Sequence, residues 1–115
     1  MALVKFDQSS KNLVTASHST GTGPVLRSDK LEITKISFKQ GNGAAMHQHE
    51  AEQLMYVLEG RIRVQLGDST YEVGVGEATF NPSNVPHSVH ALVDSVCLSV
   101  KNLAEPDYEA TGRLE

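Results

Sequence analysis

The stretch Gln53-Leu54-Met55-Tyr56-Val57-Leu58-Glu59-Gly60-Arg61-Ile62-Arg63-Val64-Gln65-Leu66-Gly67-Asp68 decides the fold class. Side chains on an extended chain point alternately to opposite faces. From Arg61 to Leu66 polar and apolar residues alternate without a break, the pattern of a half-buried strand. In the preceding run Gln53, Met55 and Val57 share one face, and Leu54, Tyr56 and Leu58 share the other. Glu59-Gly60 separates the two runs as a turn. Gly67-Asp68 is a two-residue hairpin connection with glycine first, the preference of a type II′ turn. The face carrying Leu54, Tyr56 and Leu58 is too apolar for open water, so it is expected to pack on another sheet or on a second subunit.

Working outward, the same grammar continues. Ser69 to Val73 returns from the hairpin, and Gly74-Val75-Gly76-Glu77 turns again. Ala78-Thr79-Phe80 runs into the loop Asn81-Pro82-Ser83-Asn84-Val85-Pro86, where Pro86 biases Val85 to an extended conformation. His87 to Leu92 and Ser95 to Lys101 read as the last strands. Upstream, Gln40-Gly41-Asn42-Gly43 is a turn. Leu31 to Phe38 is a strand with a change of phase, because Leu31 and Ile33 share one parity and Ile36 and Phe38 the other; a bulge or a strand that changes sheets is predicted there. Ser19 to Pro24 is a loop by composition, and Leu13-Val14-Thr15-Ala16 is a weak strand. The polar tail from Asn102 to Glu115 is compatible with a short helix or with an arm along the surface. Short strands punctuated by turns predict an all-β sandwich or barrel.

At 115 residues, with no shift in composition, the chain is expected to form a single domain over residues 1–115. A formal charge of −4 and the absence of a basic run argue against a nucleic-acid partner. The N-terminus, Met1-Ala2-Leu3-Val4-Lys5-Phe6-Asp7, has no long apolar stretch, so neither a secretory signal nor a membrane-spanning helix is expected. The single cysteine, Cys97, cannot form an internal disulfide, which suits a reducing cytoplasm. It lies in the alternating run Ser95 to Val100 and reads as a small barrel-wall residue rather than a nucleophile.

The chemistry is concentrated in four residues. His47-Gln48-His49 places two imidazoles at i and i+2, on one face of an extended segment. Gln53 has the same parity and brings an amide oxygen. His87, two hairpins later, returns to the same interior if the intervening strands form an antiparallel barrel. The constellation predicts a divalent metal site built from three imidazoles and one neutral oxygen. Ligating imidazoles must be neutral, and they suit zinc, iron, copper and nickel. With Gln53 in place of a carboxylate the protein donors bring no charge. The ion then keeps its full charge as a Lewis acid and favours an anionic substrate. Gln53 has a second reading, as a hydrogen-bond partner of a water on the ion. Glu50 and Glu52 read as solvated carboxylates, His90 as facing away from His87, and His18 as part of a polar loop without a visible partner. Tyr56, Arg61 and Arg63 read as barrel surface or subunit contact. Met46, Met55, Val57, Phe80 and Val89 read as pocket wall, which shapes a substrate site without doing chemistry.

The spacing around these residues is Gly41, five residues, His47-Gln48-His49, three residues, Gln53, six residues, Gly60, and later Gly76, five residues, Pro82, Asn84, His87. It resembles the two motifs of the cupin superfamily, over 41–60 and 76–91. Gln53 stands where that family usually has glutamate, Asn84 where it has glycine, and Ala91 where it often has asparagine. The resemblance implies a double-stranded β-helix, an RmlC-like jelly-roll barrel, with His47, His49, Gln53 and His87 as metal ligands. The glutamine variant is similar to a branch of small cupins that linearise unsaturated uronates in pectin degradation. There an acidic and an aromatic residue on the last strand, and an arginine just after it, would be expected; Ser99, Lys101 and Glu105 fall at about those places, so the likeness is confined to the metal site.

The expected protein is therefore a cytoplasmic homodimer that binds zinc, nickel, iron, manganese or copper and takes a small-molecule substrate, with no nucleic-acid or membrane partner. The favoured activity is Lewis-acid isomerisation or elimination on a small, oxygen-rich anion. A metal-dependent dioxygenase and a non-catalytic module that binds a sugar or small acid are the alternatives.

Overall fold

The computed structural model describes residues 3–8 and 18–103. The expected strand Leu13 to Ala16 and the tail beyond Leu103, with Glu105, lie outside the described residues. Among those described, one 3-10 turn, Phe6–Gln8, precedes β1 (Val25–Arg27), β2 (Leu31–Phe38), β3 (Gly43–His47), β4 (Gln53–Glu59), β5 (Arg61–Leu66), β6 (Ser69–Gly74), β7 (Ala78–Asn81), β8 (His87–Ala91) and β9 (Ser95–Asn102). A five-stranded sheet runs in the order β1-β2-β9-β4-β7 and a four-stranded sheet in the order β3-β8-β5-β6. Every pairing is antiparallel. Two such sheets face to face are the all-β jelly-roll architecture expected from the strand pattern.

The alternation in the sequence becomes the inside and outside of the barrel. Gln53, Met55 and Val57 are buried, whereas Leu54 and Tyr56 are exposed. On β5, Ile62 and Val64 are buried, between exposed Arg61, Arg63 and Gln65. Inward residues from both sheets form one core of Ile36, Phe38, Met55, Val57, Ile62, Val64, Val73, Val89, Ala91 and Cys97. Burying side chains of the valine or isoleucine class contributes about 1.5–3 kcal/mol each. Cys97 is a wall residue: burial pushes its thiol up to about 12, which keeps it protonated and inert. The two-residue β5–β6 connection pairs Leu66 with Ser69, and Gly67 takes a φ of 59°, as a glycine-first hairpin turn requires.

Strand β2 corrects one expectation. It pairs with β9 in unbroken register from Leu31↔Asn102 to Phe38↔Ser95, with neither a bulge nor a change of sheet. Glu32, Thr34, Ile36 and Phe38 all point inward, and Leu31 is 60% exposed. The apparent phase change arose because the first two inward positions are polar.

Those positions belong to a polar half of the interior. Arg27 pairs with Glu32, Glu32 with Lys101, Lys101 with Gln53, and Gln53 with Asn81. Directly opposed residues on neighbouring strands project to the same face, so these five side chains form one row across all five strands. The next row inward contains Thr34, Ser99, Met55 and Thr79. Ile36, Cys97 and Val57 follow, and the interior becomes apolar. The polar row opens on the four-stranded sheet where β3 and β8 carry histidines.

A candidate metal centre between the two sheets

Each histidine reaches the site from a different local structure. His47 ends β3, whose register against β8 slips between Ala44 and His47, so that three steps on β3 match two on β8. A bulge of this kind bends the strand and re-aims its last side chain. His49 lies beyond the strand, in the β3–β4 connection; the loop, not the parity of an extended segment, places it. His87 opens β8 opposite His47. The Pro82–Pro86 loop that delivers it is fastened twice, through Asn84 N–H to the His49 carbonyl at 2.8 Å and through Gly67 N–H to the Pro86 carbonyl at 2.8 Å. Asn84 adopts φ 59°, a left-handed conformation that asparagine tolerates better than most residues other than glycine. This explains how asparagine can occupy a motif position that usually holds glycine.

The three rings share one hydrogen-bonding logic. Nδ1–H donates to the Ala45 carbonyl from His47 at 2.6 Å, to the Ala51 carbonyl from His49 at 2.8 Å, and to the Val85 carbonyl from His87 at 2.9 Å. A carbonyl only accepts, so each Nδ1 carries the proton and each neutral ring keeps its lone pair on Nε2. This is the orienting arrangement usual for metal-binding histidines. Nε2 of His49 and Nε2 of His87 are buried without a hydrogen-bond partner. The three residues offer ligand nitrogens that all lie within 4.8 Å of one another. Ring centroids are 4.3 Å apart for His47 and His87, 4.8 Å for His49 and His87, and 5.6 Å for His47 and His49. Two buried nitrogens without a hydrogen-bond partner beside a third imidazole are costly in themselves and fit a cation-binding role.

Burial favours the uncharged form of the His49 and His87 rings. The His87 pKa falls from 6.5 to about 4, chiefly through burial; its hydrogen bond to Val85 opposes the shift, and the nearby His47, His49 and Lys101 add to it. His49 is lowered chiefly by burial and also by Lys101 and His47, while its Ala51 hydrogen bond and neighbouring Gln53 act the other way. Neutral imidazole is the form that binds a metal.

Gln53 is buried beside this cluster. Its amide nitrogen donates to Ser99 Oγ at 2.7 Å, and its amide oxygen accepts from Asn81 Nδ2 at 3.0 Å. In this arrangement the Gln53 amide oxygen retains a second lone pair. Met55 and Val89 line the histidine cavity. Val57 lies deeper in the core, fully buried. Phe80 differs from its expected role as pocket wall: it is 49% exposed on the outer face and borders a groove of about 310 Å³ with Leu66, Tyr71 and Val73. Met46 is likewise exposed. His90 is exposed, away from the cluster.

Several cavity residues were not singled out by sequence reasoning. His18 stacks on His47 with centroids 3.8 Å apart. It is brought there by the Ser19↔Ala44 bridge and by the hydrogen bond from Ala45 N–H to the His18 carbonyl, long-range contacts that leave no local pattern. Burial, then His47, Lys101 and His49, lower its pKa. Thr34, Ser99 and Lys101 also line the cavity; their inward parity on β2 and β9 was the available signal, obscured by their polarity.

Residues 35–100 match the family model described as a cupin domain. Solved structures share the fold. KdgF from Halomonas sp. superposes with a TM-score of 0.68 at 22% identity, covering 78% of this chain and 92% of that one. An RmlC-like cupin from Shewanella frigidimarina gives 0.69 at 21% identity, covering 89% and 96%. A protein described as a predicted oxalate decarboxylase from Thermotoga maritima gives 0.76 at 17% identity, covering 88% and 98%. No curated protein matches. Among the described residues no helix is long and apolar enough to cross a membrane.

Proposed function

The chain belongs to the cupin family, and from that premise we propose a metal-binding protein in which Nε2 of His47, His49 and His87, with the amide oxygen of Gln53, holds one divalent transition ion. The observation that carries the reading is the pair of buried, partnerless Nε2 atoms on His49 and His87, on rings whose other nitrogens are already committed to backbone carbonyls. Zinc, nickel, iron, manganese and copper all suit neutral nitrogen and oxygen donors.

The ion, when bound, supplies Lewis acidity that polarises a carbonyl or hydroxyl oxygen. The chain supplies the rest. The Ala45, Ala51 and Val85 carbonyls fix the tautomers, and Asn81 and Ser99 lock the Gln53 amide. Ile36, Phe38, Met55 and Val89 form an apolar wall that limits water. The cavity, about 30 Å³, has room for only about two waters, so its occupant is small. We favour an isomerase or lyase acting on a small oxygen-rich anion. The uncharged donor set leaves the ion's full charge available to such a molecule. The match to a protein described as a predicted oxalate decarboxylase is in keeping with a small carboxylate.

The outer face of the five-stranded sheet supports pairing of two copies. Leu54 is in register with Phe80 and Val100, and Tyr56 with Leu98, which forms a continuous apolar surface. Elemental analysis of protein purified without added metal tests the core proposal. One transition ion per chain is expected, with its loss in a folded His49→Ala variant; stoichiometric metal in that variant would count against the assignment.

A further inference from the structure

We propose that Asn81 is a positioning residue of the metal centre: it turns the Gln53 amide oxygen toward the ion, and the Asn81 and Gln53 amides reverse together in protein that has released its ion. The inference rests on the metal-centre reading and adds the residues that make Gln53 a ligand.

Ser99, Gln53 and Asn81 form one hydrogen-bonded chain across β9, β4 and β7. Gln53 Nε2 donates to Ser99 Oγ at 2.7 Å, and Asn81 Nδ2 donates to Gln53 Oε1 at 3.0 Å. The three residues are only 1%, 6% and 0% exposed, so water does not compete for these bonds. A hydroxyl both accepts and donates, so Ser99 suits either end of the Gln53 amide. Asn81 is the selective partner, because Nδ2 turned toward Gln53 admits only an oxygen opposite it. Its own Oδ1 is left buried without a hydrogen-bond partner.

The selected oxygen faces His49. Burial is the main influence on that ring and lowers its pKa, whereas a hydrogen bond with the Gln53 side chain raises it. An acceptor has this effect, because a charged ring would donate to it. The neutral ring has no proton to give: Nδ1–H is committed to the Ala51 carbonyl at 2.8 Å, and Nε2, buried without a partner, carries a lone pair. Lone pairs on His49 Nε2 and Gln53 Oε1 therefore face the same point. The arrangement is favourable when both point at one cation. In protein stripped of metal, reversing the two amides relieves it without moving the backbone. Gln53 Nε2 then donates one hydrogen to His49 Nε2 and the other to Asn81 Oδ1, and the Ser99 hydroxyl turns from acceptor to donor. Two buried atoms that lack partners in the present orientation gain them. Asn81 Nδ2 moves to the side its oxygen now occupies. Thr79, on the same inward face of β7, has a buried hydroxyl that also lacks a partner.

Zinc is the probe. In 15N-labelled protein stripped of metal, the Gln53 amide protons should show nuclear Overhauser contacts to the His49 ring. With one equivalent of zinc, contacts to the Ser99 β protons should replace them; this readout needs no variant. Competition with a chromophoric chelator gives zinc affinity. Asn81→Leu removes the donor and should weaken zinc binding about tenfold, as is usual for groups that orient a ligand. In a Gln53→Met background no amide remains to be turned, so adding Asn81→Leu should change zinc affinity by less than about twofold. A merely structural role for Asn81 would weaken zinc equally in both backgrounds. Identical Gln53 contacts in stripped and zinc-loaded protein, or equal losses in the two backgrounds, overturn the inference and leave the metal centre standing. A wild-type protein that takes up no zinc overturns the metal-centre reading itself, and the role of Asn81 with it.

Discussion

The two halves of the barrel interior are built on the same strands and do opposite things. In the apolar half, Val57 and Cys97 from one sheet meet Ile62, Ala91 and Val73 from the other, and nothing there needs a partner. In the polar half the same alternation delivers Glu32, Lys101, Gln53 and Asn81, with histidines from β3, the β3–β4 connection and β8. That half contains buried atoms without partners, on His49, His87, Thr79 and Asn81. An unsatisfied buried polar group costs about 1–3 kcal/mol. The apolar half stabilises the fold, and the polar half spends part of that stability on a binding site.

The strongest way to break this contrast is to cut the apolar half. Ile62 is fully buried, and Ile62→Ala should lower unfolding free energy by about 2–5 kcal/mol, through lost transfer energy and the cavity left behind. Metal content per folded chain should not change. Urea unfolding together with elemental analysis checks both statements, and a variant that stays stable but loses metal would erase the division.

Acid should act on the other half. The His87 pKa is depressed in the folded protein, from 6.5 to about 4, so the folded state takes up its proton less readily than the unfolded chain. The associated stability is complete above about pH 6.5 and is lost as pH falls towards 4. Metal-free protein should show this decline in its urea midpoint, and His87→Asn should flatten it. A midpoint independent of pH across that window in the wild type would show that His87 does not carry the expected linkage.

Charge at Gln53 sharpens the contrast at smaller amplitude. Gln53→Glu should keep the ion and weaken binding of a small anion such as malonate about tenfold, because the new carboxylate repels the anion and partly neutralises the metal. Tighter malonate binding would reject the charge argument. The smallest effect concerns the loop between the halves. Asn84→Ala should cost about 1 kcal/mol, because alanine resists the left-handed φ of 59°, whereas Asn84→Gly should be nearly neutral in thermal unfolding.

What the chain revealed in advance follows the same division. The inward set Gln53, Met55, Val57 and the β5 alternation were legible because a period of two directly encodes which side faces in. The histidines and Gln53 stood out through their spacing, which also carried the family resemblance. The polar row was misread for the same reason the core was read correctly. An interior position was sought by its hydrophobicity, so Glu32 and Thr34 suggested a phase change where β2 is regular. His18 reaches His47 only through the Ser19↔Ala44 bridge, and the grouping of Arg27, Glu32, Lys101 and Gln53 depends on register among four strands. Such long-range placement is a property of the assembled sheet. Phe80 was given to the pocket by its apolar character, but on β7 it alternates outward from inward Thr79 and Asn81.

X-ray absorption on the protein loaded with one equivalent of zinc addresses the central claim most directly. Three imidazole nitrogens and additional oxygen in the first coordination shell at about 2.0–2.1 Å are the result expected. A shell containing sulfur, or one built from carboxylates with fewer than three imidazoles, would contradict the assignment of His47, His49 and His87 to a common ion.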